Sequence, residues 1–274
     1  GFGINQPGGW TYSVLAFVEE RAIRDAGKGL TGTVKQQALA RMQSIPAPTF
    51  NCPSRRGSTV APLGDPGLVN VDTGLMASLG GSRSDYAGNG GTDQTGYDAG
   101  NDGPAAGSDQ NASYDIKGYF RALQAYQVAT GTIYCGSMVR VKDIPDGLSK
   151  TYLIGEKALA PQYYNPAEQT PANRNLGDDQ SMYQGFDYDT IRWAGNSLTP
   201  PATLDALPLK DENHFTSGGA PDGKWGITNF GSAHSSGCFF AMCDGSVQTI
   251  NYTVDPKVHW KLANRKDGSQ VNLP

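Results

Sequence analysis

Glycine and proline set the first limit on what this chain can become. Thirty-six glycines and 17 prolines stand among 274 residues, about 19% of the chain. That exceeds the average of roughly 12% and falls short of the roughly 25–30% typical of disordered segments. A helical bundle or coiled coil does not tolerate breakers at that density, because an interior glycine costs about 1 kcal/mol and a proline about 3 kcal/mol relative to alanine. Short strands and helices joined by long ordered loops are what remain. The hydrophobic share, 38%, suffices for a core, and a net charge of −4 provides no basic face for nucleic acid.

The apolar pattern locates the elements. Val14, Leu15, Val18, Ala22, Ile23 and Ala26 recur at three- and four-residue intervals, predicting a helix over 11–26 that Gly27 and Gly29 end. Thr33 and Gln36 have the spacing of a capping box, and Val34, Ala38, Leu39, Met42 and Ile45 form the apolar stripe of a second helix stopped by Pro46 and Pro48. Thr49 to Cys52 reads as a short extended piece, and 53–112 as loop. A third helix is expected at 117–130, with strands at 132–141, 151–155 and 190–194. The clearest signal is a hairpin, 238–243 and 246–252 around Asp244-Gly245, since Asp-Gly suits a tight turn with positive φ at both central residues. The whole, residues 1–274, is read as a single α+β domain with N-terminal helices packed on an antiparallel sheet. No stretch nears the roughly 18 apolar residues of a membrane span; the best run, Val14 to Val18, meets Glu19, Glu20 and Arg21 at once.

The residues that could carry chemistry are scattered. Cys52, Cys135, Cys238 and Cys243 match no zinc spacing. Cys238 and Cys243 lie on one strand, about 17 Å apart and on opposite faces, which argues against a bridge between them; the other pairings and free buried thiols stay open. Asp85, Asn89 and Asp93 lie in a Gly/Asn/Asp-rich stretch whose hard oxygens suit calcium, or whose side chains simply close Asx-turns. His214, His234 and His259 are the only histidines, and no serine sits in a nucleophile elbow. Asp143, Asp146 and Glu156 offer a carboxylate pair for glycoside hydrolysis, although Asp146-Gly147 reads first as a turn and Glu156 as a buried acid held by backbone donors. Separate roles are expected for His234, a loop-fixing hydrogen bond, and Asp244, the turn.

Taken in order, several blocks resemble a known family. His234, nine residues, then Asp244-Gly245 is similar to the H-X9-DG motif of the DUF1559 proteins, prepilin-like proteins of planctomycetes and related bacteria. Trp10 with the following helix, Phe50-Asn51-Cys52-Pro53-Ser54, Ser84-Asp85-Tyr86-Ala87-Gly88-Asn89, and Val141-x-Asp143-Ile144-x-Asp146-Gly147-x-Ser149-x-Thr151 ending in Gly155-Glu156 resemble its other blocks. The resemblance implies the pilin-like head of a type IV pilin or type II secretion pseudopilin subunit in the cell envelope. It implies no enzyme activity and no catalytic residue. Its partners would be other pilin-like subunits or secretion-system components, and the membrane would be reached through a leader and apolar helix expected before Gly1. Trp10, Cys52, Tyr86, Asn89, Asp146, Gly147, Glu156, His234, Asp244 and Gly245 are the residues expected to matter structurally. A surface module for calcium or carbohydrate, the latter stacking on the tyrosines and tryptophans, is the alternative; a hydrolase using Asp146 or Glu156 is the third reading.

Overall fold

The computed structural model describes residues 9–64, 70–92, 129–134, 137–165, 168–169, 174–195, 206–212, 226–269 and 271. The expected helix at 117–130 lies almost wholly outside them, as do Asp93, Cys135 and His214.

The centre is a five-stranded sheet. Its strands are β3 (Tyr86–Gly91), β4 (Tyr152–Glu156), β5 (Ile191–Trp193), β8 (Cys238–Met242) and β9 (Val247–Ile250), in the order β5-β3-β4-β8-β9. All neighbours are antiparallel except β3 and β5, which run parallel. Two small sheets flank it, β1 (Val60–Ala61) with β2 (Gly81–Ser82), and β6 (Leu209–Lys210) with β7 (Gly231–Ser232). The helices are α1 (Trp10–Val14), α2 (Arg21–Arg24), α3 (Gly32–Gln43), α4 (Thr73–Leu79) and α5 (Pro256–Ala263). The protein is thus α+β, with one parallel pair at the sheet's edge.

Alternation explains the hairpin. Cys238, Phe240 and Met242 point inward while Phe239, between them, is 36% exposed. Tyr152 stacks on Phe240 with ring centroids 4.0 Å apart, and Phe230 meets Phe240 edge-on at 4.8 Å. Gly155 makes this packing feasible, because a Cβ there would lie 2.6 Å from both Phe230 and Phe240. The turn differs from expectation. The Gly245 N–H bonds the Met242 carbonyl and the Met242 N–H bonds the Ser246 carbonyl, with φ +87° at Gly245 and no positive φ at Asp244. This is the three-residue loop whose glycine alone needs the left-handed region. Asp244 instead accepts from the Ser246 N–H and hydroxyl, at 2.9 and 2.7 Å.

The helix seated over this aromatic core is α5, through Leu262 and Ala263. It starts with Pro256 at its first turn and the Asp255 carboxylate accepting from the Lys257 N–H. The N-terminal helices pack mainly around Leu15, Ile23, Met42, Phe50, Met182 and Tyr183, and reach β5 through Trp10.

Several sequence expectations are overturned. The helix over 11–26 breaks, since Glu19 takes φ +65° and the Glu20 N–H closes on the Leu15 carbonyl; apolar periodicity does not report such a reversal. α3 begins a residue before the expected cap, no Thr33 capping box forms, and Val34 is 62% exposed. Thr49 and Phe50 belong to a 3₁₀ turn, although Asn51 is extended. No strand forms among the described residues of 132–141, where Val141–Asp143 is a 3₁₀ turn. Most important, 53–112, expected as loop, contains β3, which lies between β4 and β5 with Asn89 fully buried. Glycine-rich composition concealed it: Gly88 and Gly90 let Ile133 and Trp193 approach the strand where side chains would otherwise stand.

Candidate functional site: a thiol, a carboxylate and an imidazole on one point

Three of the blocks separated in sequence meet in space. Cys52 follows the Pro48–Phe50 turn, and its carbonyl accepts from the Arg55 and Arg56 N–H groups, which curls the chain beneath it. Its own N–H bonds Asp85 Oδ2 at 2.9 Å. Glu156 is the last residue of β4, and its Oε2 accepts from the Phe239 N–H at 2.8 Å. His234 lies in the loop between β7 and β8; its N–H bonds the Ser232 hydroxyl, and its carbonyl accepts from the Tyr252 hydroxyl at 2.6 Å. These contacts bring Cys52 Sγ to 3.6 Å and Glu156 Oε1 to 3.4 Å from the same atom, His234 Nε2. The three donor atoms all lie within 4.8 Å of one another. Glu156 is buried, and the His234 side chain is 29% exposed.

Burial pushes the Cys52 thiol up, a bond from the Ser54 backbone pulls it down, and the Glu156 charge adds to the rise. Tyr86, opposite Glu156 in the β3–β4 pairing, is pushed up to about 12 by burial and by the charges of Cys52 and Glu156. A nucleophilic triad needs thiol and acid on different ring nitrogens, so that one orients the ring while the other gives up a proton. Here both approach Nε2, the arrangement of donors around a common centre.

Behind this point lies a buried ion network absent from the sequence reading. Arg55 Nε bonds Asp211 at 2.8 Å and its Nη1 lies 3.4 Å from Asp85. Arg56 clamps Asp178 with both terminal nitrogens, at 2.6 and 2.8 Å, and bonds Asp85 at 2.9 Å. Lys157 Nζ reaches Asp178 at 2.9 Å. Three cations thus face three carboxylates, all buried. Burial raises the Asp178 carboxyl, but Arg56 and Lys157 outweigh it and hold it well below the usual carboxylate range. Burial lowers Arg56 likewise, and Asp178 and Asp85 reverse that.

The other residues singled out from sequence are dispersed. Asn89 donates to the Tyr152 and Ala263 carbonyls, both at 2.9 Å, and accepts from Gly91. Asp146 accepts from the Asp267 and Gly268 N–H groups, pinning the C-terminal segment, while Gly147 has φ +101°. Trp10 Nε1 donates to the Thr190 carbonyl at 2.8 Å and its ring meets Phe50 edge-on. Asp143 pairs with Arg140. Asp146 and Glu156 are held by different backbone segments. Asp85, in the group considered for calcium, has both oxygens engaged by Arg56 and by Cys52. His259 is fully buried, with Nδ1 3.0 Å from the Tyr152 hydroxyl. Cys52, Cys238 and Cys243 are free thiols.

A family model described as "Protein of unknown function (DUF1559)" matches residues 1–257. The chain belongs to the DUF1559 family. No curated protein and no solved structure matches it. Cys52, Glu156 and His234 lie in three of the blocks that resemble the family. The missed partners, Arg55, Arg56, Lys157, Asp178 and Asp211, carried one faint signal, adjacent arginines directly after Cys52-Pro53-Ser54.

Proposed function

We propose that this DUF1559 chain is the structural, non-enzymatic head of a pilin-like or pseudopilin-like cell-envelope subunit. The observation that carries the reading is how the block residues use their polar atoms. Trp10, Asn89 and Asp146 each bond backbone groups of distant segments and tie the fold together, and Asp244 fixes the hairpin turn. None of Trp10, Cys52, Tyr86, Asn89, Asp146, Gly147, Glu156, His234, Asp244 and Gly245 lines either of two surface depressions among the described residues, about 360 Å³ beside Arg55 and Tyr164 and about 460 Å³ beside Tyr134 and Arg265. Side chains committed to rigidity suit a subunit that transmits load or packs in an array better than one that turns over substrate. Its partners are other pilin-like subunits or secretion-system components, with the head outside the cytoplasm. No helix among the described residues is long and apolar enough to cross a membrane.

The upstream coding sequence tests this. A short basic leader, a prepilin-peptidase site and a long apolar helix are expected in frame before Gly1. A gene that instead supplies only a cleaved secretory signal would overturn the reading. Purified envelope filaments containing the chain, seen by electron microscopy with antibody labelling, would extend it.

A further inference from the structure

We infer that Cys52, Glu156 and His234 form a binding site for a divalent transition metal of the zinc class, with a fourth coordination position left toward solvent. The inference is independent of the pilin-like reading, since it concerns only three side chains and their spacing.

Distance is the first argument. Zinc lies about 2.3 Å from a thiolate sulfur and about 2.0–2.1 Å from imidazole nitrogen and carboxylate oxygen, in tetrahedral geometry. Those bond lengths place sulfur and nitrogen roughly 3.6 Å apart, and nitrogen and oxygen roughly 3.4 Å apart. The observed separations are 3.6 Å from Cys52 Sγ to His234 Nε2 and 3.4 Å from His234 Nε2 to Glu156 Oε1. As hydrogen bonds to the one nitrogen the two contacts compete, and the carboxylate one is long. Nε2 bears at most one proton and cannot donate it fully to both neighbours, and 3.4 Å is long against the usual 2.9–3.0 Å for N–H···O.

Chemistry is the second argument. Thiolate, imidazole and carboxylate together are a borderline-soft set that suits zinc and its neighbours rather than calcium or magnesium. A thiolate and a carboxylate bring two negative charges, which a divalent cation neutralises in a buried place. The surroundings orient the donors as outer contacts do in metal sites. The free oxygen of Glu156 is fixed by the Phe239 N–H, the Cys52 sulfur receives the Ser54 N–H, and the His234 loop is tied down by Tyr252. Among the described residues the cluster contains three ligating side chains of the His, Cys, Asp and Glu set. The partly exposed His234 gives the ion a path from the surface.

The test uses the whole chain, stripped with chelator and titrated with Zn2+ or Co2+. One equivalent is expected to bind, with Co2+ giving the visible bands of tetrahedral coordination and a near-ultraviolet thiolate-to-metal band. His234→Ala and Glu156→Gln are expected to weaken binding by more than the roughly 10–100-fold that outer contacts are worth. Cys52→Ser should abolish the thiolate band, while Cys243→Ser leaves it unchanged. Should Cys52→Ser fail to fold, His234→Ala, altering a partly exposed side chain, carries the same comparison. Wild-type protein with a native circular dichroism spectrum but no thiolate band, or a band that survives Cys52→Ser, would overturn the inference. So would unchanged affinity in folded His234→Ala.

Discussion

The two ends of β4 meet opposite solutions to burial. At its start, Tyr152 enters an aromatic cluster with Phe230, Phe240 and His259, in which shape and apolar area do the holding. Just past its end, Lys157 enters a network of guanidinium, ammonium and carboxylate groups where the chain brings charges inside and matches them. The first kind of core loses stability in proportion to the atoms removed. The second responds to imbalance: loss of one partner strands the others in a medium that cannot solvate them. Five positions along the chain, from Tyr152 to Lys157, thus lead from a region held by packing to one held by matched charges.

Removing one carboxylate should break the ionic end hardest. Asp178→Ala leaves Arg56 and Lys157 without their shared partner, and a loss of about 3–5 kcal/mol is expected in urea unfolding at pH 7. Phe240→Ala should cost a similar amount, about 3–5 kcal/mol, by opening a cavity. Only pH tells the two apart. The Asp178 carboxyl is held below its unfolded value, so its contribution is complete above about pH 4 and fades as pH falls through the folded value. The gap between wild type and Asp178→Ala should therefore narrow in acid, whereas that of Phe240→Ala should not. Equal acid behaviour in the two variants would erase the distinction between the regions.

His259 makes the aromatic end sensitive to acid in its own way. Burial lowers its pKa from 6.5 to about 3, so the unfolded chain takes up a proton that the folded chain refuses. Stability from this residue is whole above about pH 6.5 and declines as pH falls toward about 3, reaching a loss of about 2 kcal/mol at pH 5. Melting temperatures of His259→Phe measured from pH 7 to pH 4 should fall less steeply than those of wild type; parallel curves would contradict the assignment.

Smaller effects probe the turns that hold the two regions in register. Gly245 has φ +87° and open space around a would-be Cβ, so Gly245→Val should lose about 1–2 kcal/mol through backbone strain alone. A thermal melt equal to wild type would remove that account of the hairpin. Trp10→Phe keeps the ring near Phe50 but removes the bond to the Thr190 carbonyl, for which about 1 kcal/mol is expected. A loss several times larger would mean that the N-terminal helices depend on this anchor far more than one hydrogen bond explains.

The aromatic end was legible in the sequence and the ionic end was not. The apolar runs at 151–155, 190–194 and 238–243 and the Asp244-Gly245 turn are local signals, and β4, β5 and β8 formed where they pointed. β3 failed the same test because glycines replaced its alternating side chains. Asp85 and Asn89 then resembled loop acids and amides, although one faces arginines and the other bonds three backbone groups. The residues of the candidate site were singled out individually for their blocks, with separate structural roles. Their convergence was invisible, because Cys52 and His234 stand 182 residues apart in the chain.

By itself the sequence determined the broken, loop-rich α+β character, the C-terminal hairpin and the family, since breakers, alternation and motif residues are properties of neighbouring positions. Tertiary structure alone decided that Arg55, Arg56 and Lys157 would find Asp85, Asp178 and Asp211, and that a thiol, a carboxylate and an imidazole would surround one point. Those are contacts between segments tens to hundreds of residues apart. Charge pairing and ligand geometry act through distance in space, and linear order carries no record of that distance.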